Sequence, residues 1–160
     1  MKFIADRMLG RLSRWLRIFG YDTLEIRKQE DEDNVLLDLA EKEDRILISR
    51  DVLLIRKAIR KRIRAYLVQS SEIMEQLRKM RLEFQLNLEP EMDRCTLCNS
   101  KIRKIESFEM DIIRMKEYVF LERLEKGAEF WMCDNCGQVY WKGAHWKNIM
   151  ERVNIIKNKG

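Results

Sequence analysis

The stretch Arg45-Ile46-Leu47-Ile48-Ser49-Arg50-Asp51 is a short apolar run closed by a carboxylate, and behind it Leu53, Leu54, Ala58 and Ile59 recur at helical spacing. A run this short, bounded by charge on both sides, suits a strand buried on both faces better than a helix. The unit is therefore strand, carboxylate, helix. The N-terminus repeats it: Phe3-Ile4-Ala5 is apolar, Asp6 follows, and from Met8 to Phe19 the residues Leu9, Leu12, Leu16 and Phe19, with Trp15, mark a helix that Gly20 stops. Arg7, Arg11, Arg14 and Arg17 take its other, solvated face. Tyr21 to Ile26 supplies a second strand, and the acidic loop Gln29-Glu30-Asp31-Glu32-Asp33 runs into a helix carrying Val35, Leu36, Leu37, Leu39 and Ala40. Ala65-Tyr66-Leu67-Val68 makes a fourth strand, after which Ser70-Ser71 caps a helix built on Ile73, Met74, Leu77 and Met80. Such alternation predicts an α/β fold with a mainly parallel sheet flanked by helices. The pattern breaks at Asn87-Leu88-Glu89-Pro90, so the boundary is placed there, giving domains 1–90 and 91–160.

In a chain of 160 residues, a second domain of this size needs a metal, disulfides or a partner to fold. Hydrophobic residues make up 46%, yet no apolar run approaches the roughly 20 residues of a membrane span. The start, Met1-Lys2-Phe3-Ile4-Ala5-Asp6, lacks the pattern of a secretory signal. A cytoplasmic protein without a membrane partner is the expectation. The formal charge of +5 falls to about +3 if four thiolates bind one Zn2+, a balance that permits nucleic acid without requiring it.

Cys95-Thr-Leu-Cys98 and Cys133-Asp-Asn-Cys136 share two-residue spacing, which lets paired thiolates and turn amides surround one ion. Asn99 and Gly137 behind the pairs suit tight knuckle turns, and Gly137 to Trp141 can form the strand that follows. Cys95, Cys98, Cys133 and Cys136 are thus candidate ligands of a structural Zn2+ in a zinc ribbon. Two disulfides, or free buried thiols, are the alternatives. A catalytic zinc fits less well, because four thiolates leave no open position for water. Beside the second pair, Trp141-Lys142-Gly143-Ala144-His145-Trp146 combines aromatic and basic groups that can stack bases and bind phosphate, although the tryptophans equally suit a small core.

Asp6 and Asp51 both stand just beyond strand ends, where open parallel sheets bind ligands, and Asp33 lies at the entrance to a helix on that same edge. Three carboxylates in one crevice repel one another unless a divalent cation offsets their charge, and Mg2+ or Mn2+ there can activate water and stabilise a phosphoryl transition state. Taken singly, Asp33 and Asp51 also suit helix N-caps, and Asp31 or Glu32 can substitute for Asp33. Arg50 beside Asp51 can hold a phosphate or orient a carboxylate.

Asp6 with Leu9-Gly10-Arg11-Leu12, Trp15-Leu16-Arg17, Gly20-Tyr21-Asp22, Asp33, Leu47 to Asp51 and the paired-cysteine ribbon through Trp146 resembles the Mut-seven C-terminal RNase domain family over residues 2 to 150. The resemblance implies a PIN-like, mainly parallel sheet flanked by helices and followed by a small zinc ribbon. It also implies a metal-dependent ribonuclease with Asp6, Asp33 and Asp51 as catalytic and Mg2+ or Mn2+ ligands. Ser49 stands where the family often has Thr. A fourth acidic ligand, common in PIN nucleases, is either missing or supplied by Glu72. RNA, single-stranded by preference, is the expected partner, held by Arg11, Arg14, Arg50, Trp141, Lys142 and His145. A non-catalytic RNA-binding or assembly module is the alternative, and a receiver-like phospho-accepting domain the third reading.

Overall fold

In a computed structural model, the apolar runs at residues 3–5 and 46–48 are two adjacent parallel strands at the centre of a four-stranded sheet. The structure describes residues 1–26, 32–116, 119 and 127–158, so Glu30 and Asp31 of the acidic loop lie outside the described residues. The strands are β1 (Lys2–Ala5), β2 (Asp22–Glu25), β3 (Ile46–Ser49) and β4 (Ala65–Leu67), and all of their pairings are parallel, in the order β2-β1-β3-β4. Helices α1 (Gly10–Ile18), α2 (Glu32–Lys42), α3 (Val52–Arg60) and α4 (Ile73–Phe84) follow the four strands in turn.

The period-2 alternation of a strand sends neighbouring side chains to opposite faces, and that separates two cores. Phe3, Ala5, Ile46 and Ile48 pack with α1 and α4, while Ile4 and Leu47 pack with Leu36, Leu37 and Ala40 of α2 and Leu54 and Ala58 of α3. Gly20 ends the first helix in the left-handed region at φ 79°, and a Cβ there would lie 2.6 Å from Glu91 Oε2. The cap of α4 differs from the serine expected. Glu72 accepts the N–H of Glu75 at 2.9 Å, and the Ser70 hydroxyl accepts the N–H of Glu72 instead.

Beyond Pro90 the chain forms an antiparallel ribbon of β5 (Arg103–Lys104), β6 (Phe130–Met132) and β7 (Val139–Trp141), with the short helix α5 (Met110–Arg114) between β5 and β6. Its core is small: Ile105, Ile113, Val119, Phe130 and Val139. The last helix, α6 (Ala144–Asn158), leaves the ribbon and returns to the sheet, where Val153 and Ile156 are buried in the α1/α4 core.

The first cysteine turn is docked on β2, the outer strand of the sheet. Asn99 accepts the N–H of Thr23 through Oδ1 at 2.9 Å and donates Nδ2 to Asp22 at 2.8 Å. Arg45 donates to the same Asp22 oxygen at 2.7 Å, and Arg94 lies 3.5 Å from the other. An edge strand that offers unpaired N–H groups invites aggregation, and here a turn of the same chain covers it. Burial raises the Asp22 pKa, but the hydrogen bonds from Arg45 and Asn99 and the charges of Arg45 and Arg94 outweigh it, holding the carboxyl below its ordinary 3.8. A depressed carboxyl contributes stability that is present above the unfolded value and lost as pH falls through the folded one. Acidification below about pH 4 is therefore expected to weaken the fold, and denaturant titrations should show a shallower acid slope in Asp22→Asn.

Candidate active site and four-cysteine centre

The sheet order β2-β1-β3-β4 reverses direction between β1 and β3, and the crevice beyond their C-terminal ends is where open α/β sheets bind ligands. Asp6 stands there at the end of β1, 7% exposed, with its N–H on the carbonyl of Ile48 at 3.3 Å. Its Oδ1 accepts the N–H of Met8 at 2.8 Å, and its Oδ2 accepts the hydroxyl of Ser49. The same Ser49 oxygen accepts the N–H of Asp51 at 2.9 Å. One buried hydroxyl therefore ties the Asp6 carboxylate to the backbone of Asp51, and the hydroxyl is what Ser49 shares with Thr. Asp51 is exposed and caps α3, its Oδ1 accepting from Leu53 and Leu54 N–H at 2.7 and 3.1 Å. Its Oδ2 takes no hydrogen bond among the described residues.

Asp33 lies in the first turn of α2, where its Oδ2 pairs with Lys57 Nζ of α3 at 2.8 Å. The oxygens of Asp6, Asp33 and Asp51 do not all come within 4.8 Å of one another, a clustering that the four cysteines alone achieve among the described residues. The donor chemistry still fits Mg2+ or Mn2+, since Mg2+ needs only one or two carboxylates and keeps several waters. Lys57 places a positive charge at Asp33, as a bound cation would.

Glu25 is the carboxylate that sequence reasoning overlooked. It ends β2 in register with Ala5, the residue before Asp6, and its Oε1 lies 3.3 Å from where a Cβ on Gly10 would stand. A third strand thus brings an acidic group to the same edge. The signal was present, because Glu25 falls beyond Thr23 and Leu24 as Asp6 falls beyond Ile4 and Ala5. Glu72, by contrast, is exposed and occupied in capping α4. Of the basic residues, Arg11, Arg14 and Arg50 are exposed, with no ion pair among the described residues, whereas Arg17, expected on the solvated face, is 2% exposed.

In the ribbon, Cys95 Sγ and Cys136 Sγ stand 3.5 Å apart and Cys98 Sγ and Cys133 Sγ 3.4 Å apart, with all four sulfurs within 4.8 Å of one another. A disulfide would need about 2.05 Å, and all four cysteines are free. Zinc–sulfur bonds of about 2.3 Å set tetrahedral sulfur–sulfur edges of about 3.8 Å, so the cluster can hold one zinc ion. The two turns match: Asn99 N–H bonds the Cys95 carbonyl at 3.0 Å and Gly137 N–H the Cys133 carbonyl at 2.8 Å, with φ of 68° and 72°. Asn rather than Gly serves the first turn, where its side chain also binds β2. Thiols packed this closely cannot all ionise alone. Burial raises the Cys98 thiol, but hydrogen bonds from Asn135, Ser100 and Cys133 bring it down to about 5, while burial, more than the adjacent sulfurs, pushes Cys136 up to about 12. The Tyr140 hydroxyl stands 3.1 Å from Cys95 Sγ and accepts the N–H of Thr96 at 3.0 Å, which fixes the orientation of the first turn.

Trp141 packs into the ribbon core, with its ring 6.2 Å from Phe130 and 5.8 Å from an exposed His145. Lys142 lies between the other two aromatic groups of this face, 5.6 Å from the ring of Trp131 and 5.5 Å from that of Trp146. All three of these tryptophans are half-buried, and the cation lies over Trp131 and Trp146.

Compared with known protein families, residues 1–153 match the model described as the Mut7-C RNAse domain. No curated protein and no solved structure matches the chain. Among the described residues, no helix is long and apolar enough to cross a membrane.

Proposed function

The chain belongs to the Mut7-C RNAse domain family, and on that premise we propose that it hydrolyses RNA phosphodiester bonds at the edge formed by Asp6, Ser49 and Asp51. The observation that carries the proposal is the Ser49 hydroxyl, which donates to Asp6 and accepts from Asp51 N–H at the point where the sheet order reverses. Asp6 and Asp51 would hold Mg2+ or Mn2+, with Asp33 joining once Lys57 is displaced. The ion would supply a Lewis acid and an activated water for in-line displacement. Ser49 and the Met8 N–H keep the Asp6 carboxylate in one rotamer. The N–H groups of Leu53 and Leu54 hold Asp51 Oδ1, leaving Oδ2 without a hydrogen bond among the described residues. Arg50, beside Asp51, would stabilise phosphate charge. In the ribbon, a structural Zn2+ on Cys95, Cys98, Cys133 and Cys136 would fold the turns, and Lys142 between Trp131 and Trp146 would bind single-stranded RNA by charge and stacking.

Labelled single-stranded RNA incubated with Mn2+ or Mg2+ tests this. The unaltered chain should cut it and EDTA should stop the cutting, while Asp6→Asn and Asp51→Asn should each lose on the order of 100-fold, as when one group stabilising transition-state charge is removed. Cleavage that persists unchanged in both variants would sink the site. One observation favours a second reading, a non-catalytic RNA-binding module: Asp51 and Asp33 already have structural work, as a cap and as an ion pair. Tight binding with no cleavage under any metal condition selects it.

A further inference from the structure

A second recess opens at the same end of the sheet, on the face that carries α1, α4 and α6, with a volume of about 540 Å³. Its walls come from three separate parts of the chain: Arg11 in the first turn of α1, Arg78 on α4 and Arg152 on α6. The floor is apolar, formed by Ile73 and Ile156, both buried, and by Ile155, which is 48% exposed. Two carboxylates also line it, and one of them is taken up by the third arginine. Glu75 is held by Arg78 through two hydrogen bonds of 2.8 Å, and Glu72 accepts the N–H of Glu75. Arg11 and Arg152 are exposed and carry no ion pair among the described residues, and with Arg78 against Glu72 and Glu75 they leave the lining at a net charge of +1 beside an apolar floor.

From this recess we infer a subsite for single-stranded RNA outside the bond that is cut, with Arg11 and Arg152 on backbone phosphate and a base or ribose against Ile155. The inference rests on the reading of the chain as an RNA hydrolase and extends it. Guanidinium groups recognise phosphate through paired donors. An apolar floor accepts the face of an unstacked base, which single strands offer and duplexes conceal. The size suits a nucleotide, since ligand recesses run from about 300 to 1,000 Å³. Position agrees as well: Arg11 is five residues beyond Asp6, and Glu72 follows the end of β4, so RNA leaving the Asp6 edge on this face crosses the recess. Helix α6 thereby gives the C-terminal part of the chain a direct role near the chemistry.

The test measures binding of a fluorescent single-stranded RNA by anisotropy with no added Mg2+ or Mn2+, across a salt series. Each phosphate contact on a single strand contributes about 0.7 to the slope of log affinity on log salt. Arg152→Ala should lower affinity and flatten that slope by about 0.7. Arg152→Lys should keep the slope, and the melting temperature of both variants should equal that of the unaltered chain. Arg60→Ala, an exposed arginine of α3 on the other face, is the control. A slope unchanged in Arg152→Ala, or flattened equally in Arg60→Ala, overturns the subsite. Because binding is read without Mg2+ or Mn2+ and cleavage with them, the outcomes separate: cleavage with an unchanged slope removes the subsite alone, whereas a flattened slope without cleavage removes the chemistry and leaves the subsite.

Discussion

Cys133→Ser is expected to weaken the ribbon's hold on zinc and to lower the melting temperature of the whole chain by about 10 °C. Structural zinc in zinc-finger peptides contributes apparent binding free energies of roughly 10–16 kcal/mol at neutral pH. Forfeiting a quarter of that is about 3 kcal/mol, and chains of this size lose about 2–4 °C per kcal/mol. The ribbon core has little to set against such a loss, since four medium apolar residues and Phe130 cannot fold the ribbon unaided. The damage should also reach the sheet. The Cys95 turn carries Thr96, Leu97 and Asn99, and through them it binds Arg17, Thr23 and Asp22. If the turn opens, Thr23 loses the partner of its N–H and the edge strand is bared. Metal content measured beside a melting curve checks both parts. A metal-free Cys133→Ser chain whose melting curve superimposes on that of the unaltered protein would show that the cluster holds nothing of importance to the fold.

Periodicity carried the strands and helices of the sheet domain because their burial is local in origin: alternation sorts Phe3 and Ala5 from Ile4, and spacing places Leu12 and Leu16 on one face of α1. The same reasoning made Asp6 and Asp51 suspects, since a carboxylate beyond a strand end needs no tertiary knowledge to be noticed. What stayed hidden depends on contacts between distant segments. Arg17 belongs by spacing to a polar stripe with Arg7, Arg11 and Arg14, yet it is held by the Thr23 carbonyl of β2 and by the cysteine turn docked from residues 96–97. Trp141 and Trp131 have the same chemistry in sequence, and strand register decides that one faces the ribbon core while the other meets Lys142. Val153 and Ile156 follow the ribbon in sequence but complete the core of the sheet, because a 15-residue helix is long enough, at about 22 Å, to reach back. Glu25 was obscured differently. Its strand is at an edge and only half buried, so a terminal carboxylate there looks like an ordinary exposed residue until its register with Ala5 is known.

Arg17→Ala should cost about 3–5 kcal/mol, the range for breaking one partner out of a buried charged network. The guanidinium sits where helix, sheet and cysteine turn meet. Its Nε donates to the Thr23 carbonyl at 2.8 Å, its Nη1 to the carbonyls of Thr96 and Leu97 at 2.9 and 3.2 Å, and its Nη2 lies 4.0 Å from Glu25 Oε2. Both side chains are desolvated, at 3% and 10% exposure, so the interaction is screened little by water. Truncation would leave three carbonyl oxygens facing a void and a carboxylate without the guanidinium beside it, and a buried acceptor left unmade costs about 1–3 kcal/mol by itself. Lysine is a poor replacement, because a single ammonium cannot reproduce the planar fork that serves three carbonyls at once. If the penalty arises largely from the stranded charge, neutralising Glu25 should return part of it. The double variant Arg17→Met with Glu25→Gln should therefore be more stable than the sum of the single losses predicts, by at least about 1 kcal/mol of coupling. Urea denaturation of the four members of that cycle measures it. Strict additivity would mean that Arg17 acts only on the three carbonyls, and would detach Glu25, and with it the Asp6 edge, from the cysteine turn.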